Sequence, residues 1–223
     1  TATAVVVDLV LIYLYAGRLE FPSGALLTGL IVGLILSPTE PGAVVAAAST
    51  LAIASKYLFR TRWSNVFNPA AFAVVIAGAL FGSAESWWGA SPDLPILSVI
   101  VLLAAGFFIA DRVNKLPMVL VFVGAFYLLF SASAILGDPA RVAEVFRAPD
   151  ANAALFFAFF MLDDPPTSPT RYGDQVTYAL VVAGMSFAIY TVLGVDYYLP
   201  AALLVGNLWE SLRRLDDRRR VAR

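Results

Sequence analysis

Two short runs hold the residues best suited to chemistry. In LDDPPTSPT, Leu162 to Thr170, two adjacent aspartates follow the apolar stretch ALFFAFFML. Ionisable groups at membrane depth are costly and mark proton, ion or ligand sites. Asp164 precedes a proline, which biases it to an extended backbone and frees its carboxylate from helix geometry. Thr167, Ser168 and Thr170 supply hydroxyls. In SKYLFRTRWSNVFNPAAF, Ser55 to Phe72, Asn65 and Asn68 stand just before Pro69. Proline suits the first turn of a helix, and a helix start presents free N–H groups and a positive dipole end. Two asparagine amides beside it can hydrogen-bond a polar, planar or anionic group, and Lys56, Arg60 and Arg62 add positive charge. Both runs also have plainer readings. The first is then an interfacial loop with an N-cap, and the second an N-cap among topology-setting charges.

Composition narrows the chemistry. Of 223 residues 60% are hydrophobic and 14% charged, with no cysteine and no histidine. An ordinary soluble domain carries about 25% charged residues, so the composition reads as an integral membrane protein. Without Cys or His, the chain offers no disulfide, Fe–S cluster, His-ligated haem or Ser-His-Asp triad. A net charge of −1 leaves no nucleic-acid footprint. Proton or electron chemistry must therefore use carboxylates, Lys, Tyr or a bound organic cofactor.

The elements that position these residues are apolar helices. The sequence predicts segments at 4–16, 25–36, 42–59, 69–82, 95–110, 117–136, 151–162, 175–195 and 198–212. Segments 25–36 and 151–162 are shorter than the roughly 20 residues of a full span and end at proline clusters, as broken or half-spanning helices do. No signal peptide with a basic n-region is visible, and a start at Thr1 reads as truncation or processing of the first segment. Alternating the loops of a nine-crossing arrangement puts thirteen Lys and Arg residues on one side and two, Arg141 and Arg147, on the other. The positive-inside rule then makes the C-terminus cytoplasmic, with 213–223 a solvated basic tail. Trp87 and Trp88 fall where an outer aromatic belt is expected, and 138–150 reads as a short helix lying on that interface. Asp8 reads as interfacial, and Asp111, Arg112 and Lys115 as solvated loop charges.

Self-similarity suggests two repeats. LILSPTEPGAVVAA and FMLDDPPTSPTRYG each run an apolar helix end into a proline-rich break, while VFNPAAFAVV and YYLPAALLVG each place proline at a helix entry. The units are 1–110 and 117–212. An odd number of segments in the first inverts the second, the arrangement of many transporters with midplane sites. Asn65, Asn68 and the 163–174 loop then share the cytoplasmic side, so a site between repeats is geometrically allowed.

At these runs the sequence resembles the NqrB/RnfD family, membrane subunits of the sodium-translocating NADH:quinone oxidoreductase and the Rnf complex. The resemblance begins at ALLTGLIVGLILSPTEP, continues through NVFNPA, and resumes at LFFAFFMLDDPPTSPT. It implies an all-α integral membrane fold of about nine transmembrane or half-spanning helices in two inverted repeats, similar to urea transporters. It also implies a noncovalent flavin, riboflavin or FMN, held at Asn65, Asn68 and Asp164, to which the reading of the two runs adds Lys56, Thr167 and Thr170 as candidates. The family's covalent FMN sits on the threonine of an SGAT-type motif. Nothing between Phe72 and Pro149 matches it, and Ser23-Gly24-Ala25-Leu26 lacks the final threonine, so no covalent FMN is expected. The chain looks like a short RnfD-like member of a bacterial inner membrane.

The leading expectation is a flavin-binding electron-transfer subunit, not catalytic alone. It would exchange electrons with other membrane redox subunits, an FMN-carrying protein or quinone, and couple to ion movement. A small-molecule channel or carrier of urea-transporter-like fold, and a cofactor-free structural subunit, stay open beside it.

Overall fold

The computed structural model describes residues 1–61, 64–91, 93 and 96–221. Arg62 and Arg223, both in the charge count, lie outside the described residues. Among those described the chain forms nine α-helices: α1 Ala2–Ala16, α2 Ser23–Ile35, α3 Gly42–Leu58, α4 Pro69–Phe81, α5 Ile96–Arg112, α6 Leu116–Leu136, α7 Asp150–Phe160, α8 Tyr172–Leu193 and α9 Tyr198–Val221. No strand is formed among the described residues; two isolated bridges, Leu36 with Glu85 and Arg60 with Asn65, join extended loop segments. Helices α6 and α8, of 21 and 22 residues, are long and apolar enough to cross a membrane. Helices α2 and α7 have 13 and 11 residues and stop before the proline clusters.

The chain divides into two compact units, Thr1–Gly89 and Ala90–Arg223. In the first, α1, α2 and α3 pack on one another and α4 lies against α2 and α3. Small residues set the spacing. A Cβ on Gly29 would stand 2.7 Å from the Ala4 Cβ and 2.9 Å from the Thr1 Cα, so only glycine permits this approach of α1 and α2. The broken end of α2 is completed by backbone from beyond α4. The Ile35 carbonyl accepts from the N–H groups of Ser86 and Trp87, and the Ser37 N–H donates to the Ala84 carbonyl at 3.0 Å. Irregular backbone inside apolar surroundings needs such partners.

In the second unit α6 packs along α8, α8 on α9, and α5 on α7. Helix α5 packs with α6 and α7 inside this unit. Phe122, Phe126, Phe130 and Phe157 are fully buried and make a run of tilted ring contacts with centroids 4.7–5.6 Å apart.

The 138–150 stretch forms a short helix, as expected, the 3₁₀ segment Pro139–Phe146, with Val142 and Val145 buried and α6 and α7 packed around it. Its valines recur every three residues, the period of a 3₁₀ turn. The two tryptophans part company. Trp88 is about half exposed, but Trp87 is buried and its indole N–H donates to the Glu85 carboxylate at 2.9 Å.

Candidate functional site

In the second unit the chain leaves α7 at Phe160 and turns through the aspartates. The Asp164 carbonyl accepts from the N–H groups of Thr167 and Ser168, and its carboxylate accepts from the Thr167 hydroxyl at 2.8 Å. The Ser168 hydroxyl donates to the same carbonyl at 2.7 Å. Asp164 and Thr167 are therefore brought together, while Thr170 is exposed and uses its carbonyl to accept from Gln175. Asp163 is buried, and its Oδ2 accepts no hydrogen bond among the described residues.

Two cations from outside the loop hold this turn, Lys115 and Arg214, and sequence reasoning read both as solvated. Lys115 is only 3% exposed, and its ammonium donates to the carbonyls of Ser168 and Pro169. Asn114 just before it takes a left-handed backbone, φ 63°, and Pro117 opens α6 just after it, so the chain reverses and Lys115 points inward. Burial first, and then the Arg214 charge, pushes the Lys115 ammonium down to about 8. Arg214 donates to the carbonyls of Pro166 at 2.9 Å and Ser168 at 2.6 Å. Glu210, 1% exposed, accepts from Arg214 at 2.7 Å and from Arg213 at 2.9 Å, and Arg213 also pairs with Asp174 of α8 at 2.9 Å. The start of the basic tail is thus a clamp on the aspartate turn, and α9 continues helical through Val221. Charge pairs three and four residues apart support that continuation.

In the first unit Asn68 is the N-cap of α4. Its Oδ1 accepts from the Ala71 N–H at 3.0 Å, and Pro69 occupies the first turn. This is the plainer reading of Asn68, and it commits the side-chain oxygen. Asn65 differs. It bridges to Arg60 across a tight turn, where the Val66 N–H donates to the Phe59 carbonyl at 2.8 Å, and its half-buried carboxamide bonds to no described residue. Beside this turn Phe59, Phe67 and Phe72 gather, with centroids 5.3–6.1 Å apart and Phe59 exposed. Sequence reasoning did not single out these rings.

Lys56 turns toward α1. Its ammonium lies 3.5 Å from Asp8 Oδ1, which also accepts from the Tyr57 hydroxyl at 2.9 Å. Asp8 is 3% exposed, so it is buried between helices and not interfacial as its position suggested. Its neighbours Ala4, Ala25, Ile53, Val7 and Leu11 form an apolar cluster, and Lys56 and Tyr57 supply the polar partners a buried carboxylate requires.

Asn65, Asn68 and Lys56 thus belong to the first compact unit, and Asp164, Thr167 and Thr170 to the second. No protein-family model matches the chain, and no curated protein matches it in sequence.

Proposed function

We propose that the chain is a membrane-embedded subunit of an electron-transfer complex of the NqrB/RnfD kind, binding riboflavin or FMN noncovalently. The observation that carries the reading is the uncommitted Asn65 carboxamide on the turn that gathers Phe59, Phe67 and Phe72. A flavin fits this donor set. A carboxamide can both donate to and accept from the polar edge of a fused ring system, and aromatic side chains offer it an apolar face. Bound flavin would supply the redox chemistry, and the protein its position and electrostatic surroundings. Asn65 would orient the cofactor, and Asn68 would keep the α4 start in place through its cap. The resemblance also gives Asp164 a part in flavin binding. Its carboxylate already holds Thr167, so its part is to shape the turn that offers the Thr170 hydroxyl. Partner redox subunits or a quinone would deliver and remove electrons, and ion movement would be coupled to that transfer.

Membrane embedding is supported by α6 and α8 and by large apolar side chains left outside: Leu14, Phe108 and Ile135 are each more than 70% exposed. An inner-membrane location with a cytoplasmic C-terminus is part of the proposal, resting on the charge asymmetry. With no native cysteine, single cysteines report it cleanly. In intact cells Asp93→Cys, at an exposed position, should react with an impermeant maleimide, and Leu215→Cys should react only after permeabilisation. The reverse pattern overturns the orientation.

The cofactor test is the absorption spectrum of protein purified in mild detergent with its partners. Mass spectrometry after denaturation should show a bare chain and a released flavin. Losing one buried hydrogen bond costs about 1–3 kcal/mol, so Asn65→Leu should weaken flavin binding about tenfold to a hundredfold. Asn68→Ser, which keeps a capping oxygen, should bind flavin nearly as wild type if Asn68 serves only α4. Protein without flavin, or Asn65→Leu retaining it fully, overturns the reading in favour of a cofactor-free structural subunit.

A further inference from the structure

The aspartate turn buries more negative than positive charge. Asp163, Asp164 and Glu210 stand against Lys115 and Arg214, and Asp163, Glu210 and Lys115 are 5%, 1% and 3% exposed. Arg213 and Asp174 cancel as a pair at 2.9 Å, and Asp217, the outer partner of Arg213, is half exposed and screened by water. The other carboxylates are served. Glu210 accepts from two arginines, and Asp164 from Thr167. Asp163 is left with a buried oxygen, Oδ2, that accepts no hydrogen bond among the described residues; Asp174 Oδ2 accepts none either, but it pairs with the Arg213 guanidinium at 2.9 Å. A buried, uncompensated carboxylate is unstable by several kcal/mol and neutralises itself when it can.

We propose that Asp163 is a proton-binding site, taking up one proton as a neutral carboxylic acid and releasing it again from the aspartate turn. The excess of one negative charge and the orphan Oδ2 of Asp163 point to the same carboxyl group and to one proton. The charged groups acting on it are Asp164 on its own turn and Lys115 at the start of α6, and Lys115 in turn feels Arg214 and Glu210 on α9. Burial, and then the Asp164 charge, pushes the Asp163 carboxyl up to about 7, against the opposing pull of its backbone hydrogen bond and Lys115. Exchange therefore falls at neutral pH. The folded chain keeps a proton that the unfolded chain sheds, so stability declines as pH climbs from the ordinary carboxyl range to about 7, and this group adds nothing further above that. The inference does not depend on a flavin being bound.

The test is infrared difference spectroscopy of the full chain in lipid nanodiscs, titrated from about pH 5 to about pH 9. The carbonyl band of a protonated carboxylic acid should grow as pH falls, with a midpoint near 7. Asp163→Asn should lose the band. Asp164→Asn should keep it with the midpoint moved to lower pH, because the neighbouring negative charge is gone. Absence of the band in wild type, its persistence in Asp163→Asn, or an unmoved midpoint in Asp164→Asn overturns the proposal. So does suppression of the wild-type band by sodium chloride but not by choline chloride at equal ionic strength, which would make the ligand a metal cation. Should Asp163→Asn fail to fold, wild type and Asp164→Asn still decide.

Discussion

Glu210→Leu should cost about 3 kcal/mol of stability, read as a lowered unfolding temperature in detergent. Removing one member of a buried ion pair leaves its partners uncompensated, which costs about 3–5 kcal/mol. The lower end applies because the Arg213 and Arg214 side chains are 25% and 29% exposed and keep some water. The damage should not stay on α9. Arg214 is oriented by Glu210 and holds the carbonyls of Pro166 and Ser168, so the aspartate turn should loosen with it. Hydrogen exchange should accelerate at Thr167 and Ser168 and stay unchanged at Phe126 on α6. Glu210→Gln retains one acceptor and should fall between Leu and wild type. Wild-type stability in Glu210→Leu would show that the clamp carries no weight.

This clamp also shows where sequence reading stops. The nine apolar segments were legible because long hydrophobic runs and prolines mark helix bodies and ends. The two short segments match α2 and α7 because a proline-rich run ends each helix. The Asn68 cap was legible too, since asparagine before proline at an apolar run is a local signal. What could not be read was which face each helix buries. These helices are apolar nearly all round, so polarity does not distinguish the packed side from the outer side. Gly206 marks the α8–α9 contact only by its size: a Cβ there would stand 2.5 Å from Val182 Cγ2.

Charged residues were misjudged for a related reason. Lys115 stands just before α6 and Arg214 in the basic run that ends the chain, where a charge count predicts water, and Asp8 was expected at the interface although it lies in the middle of α1. Their burial depends on acceptors far along the chain: Ser168 and Pro169 for Lys115, Pro166 for Arg214, and Lys56 and Tyr57 for Asp8. No spacing rule within a segment reports such partners. The orphan Asp163 oxygen was hidden likewise, because adjacent aspartates look alike until one of them is seen to hold Thr167.

The Asp8–Lys56 pair permits a sharper measurement, since both partners can be made apolar. Lys56→Met strips a carboxylate that is 4% exposed of its cation and leaves it only the Tyr57 hydroxyl; the expected cost is about 3 kcal/mol. Asp8→Leu is milder, about 1–2 kcal/mol, because the Lys56 side chain is 21% exposed and its ammonium can reach water along a flexible stem. The double variant should recover most of the loss. With both charges gone, leucine and methionine join the apolar cluster of Ala4, Ala25 and Ile53, and replacing a buried pair by apolar residues is often neutral. The two effects should therefore be strongly non-additive, with a coupling of about 2–3 kcal/mol in unfolding measurements. Additive losses would mean that Asp8 and Lys56 act separately, each held by other groups, and that α1 is fastened to α3 by apolar packing and the Tyr57 hydroxyl alone.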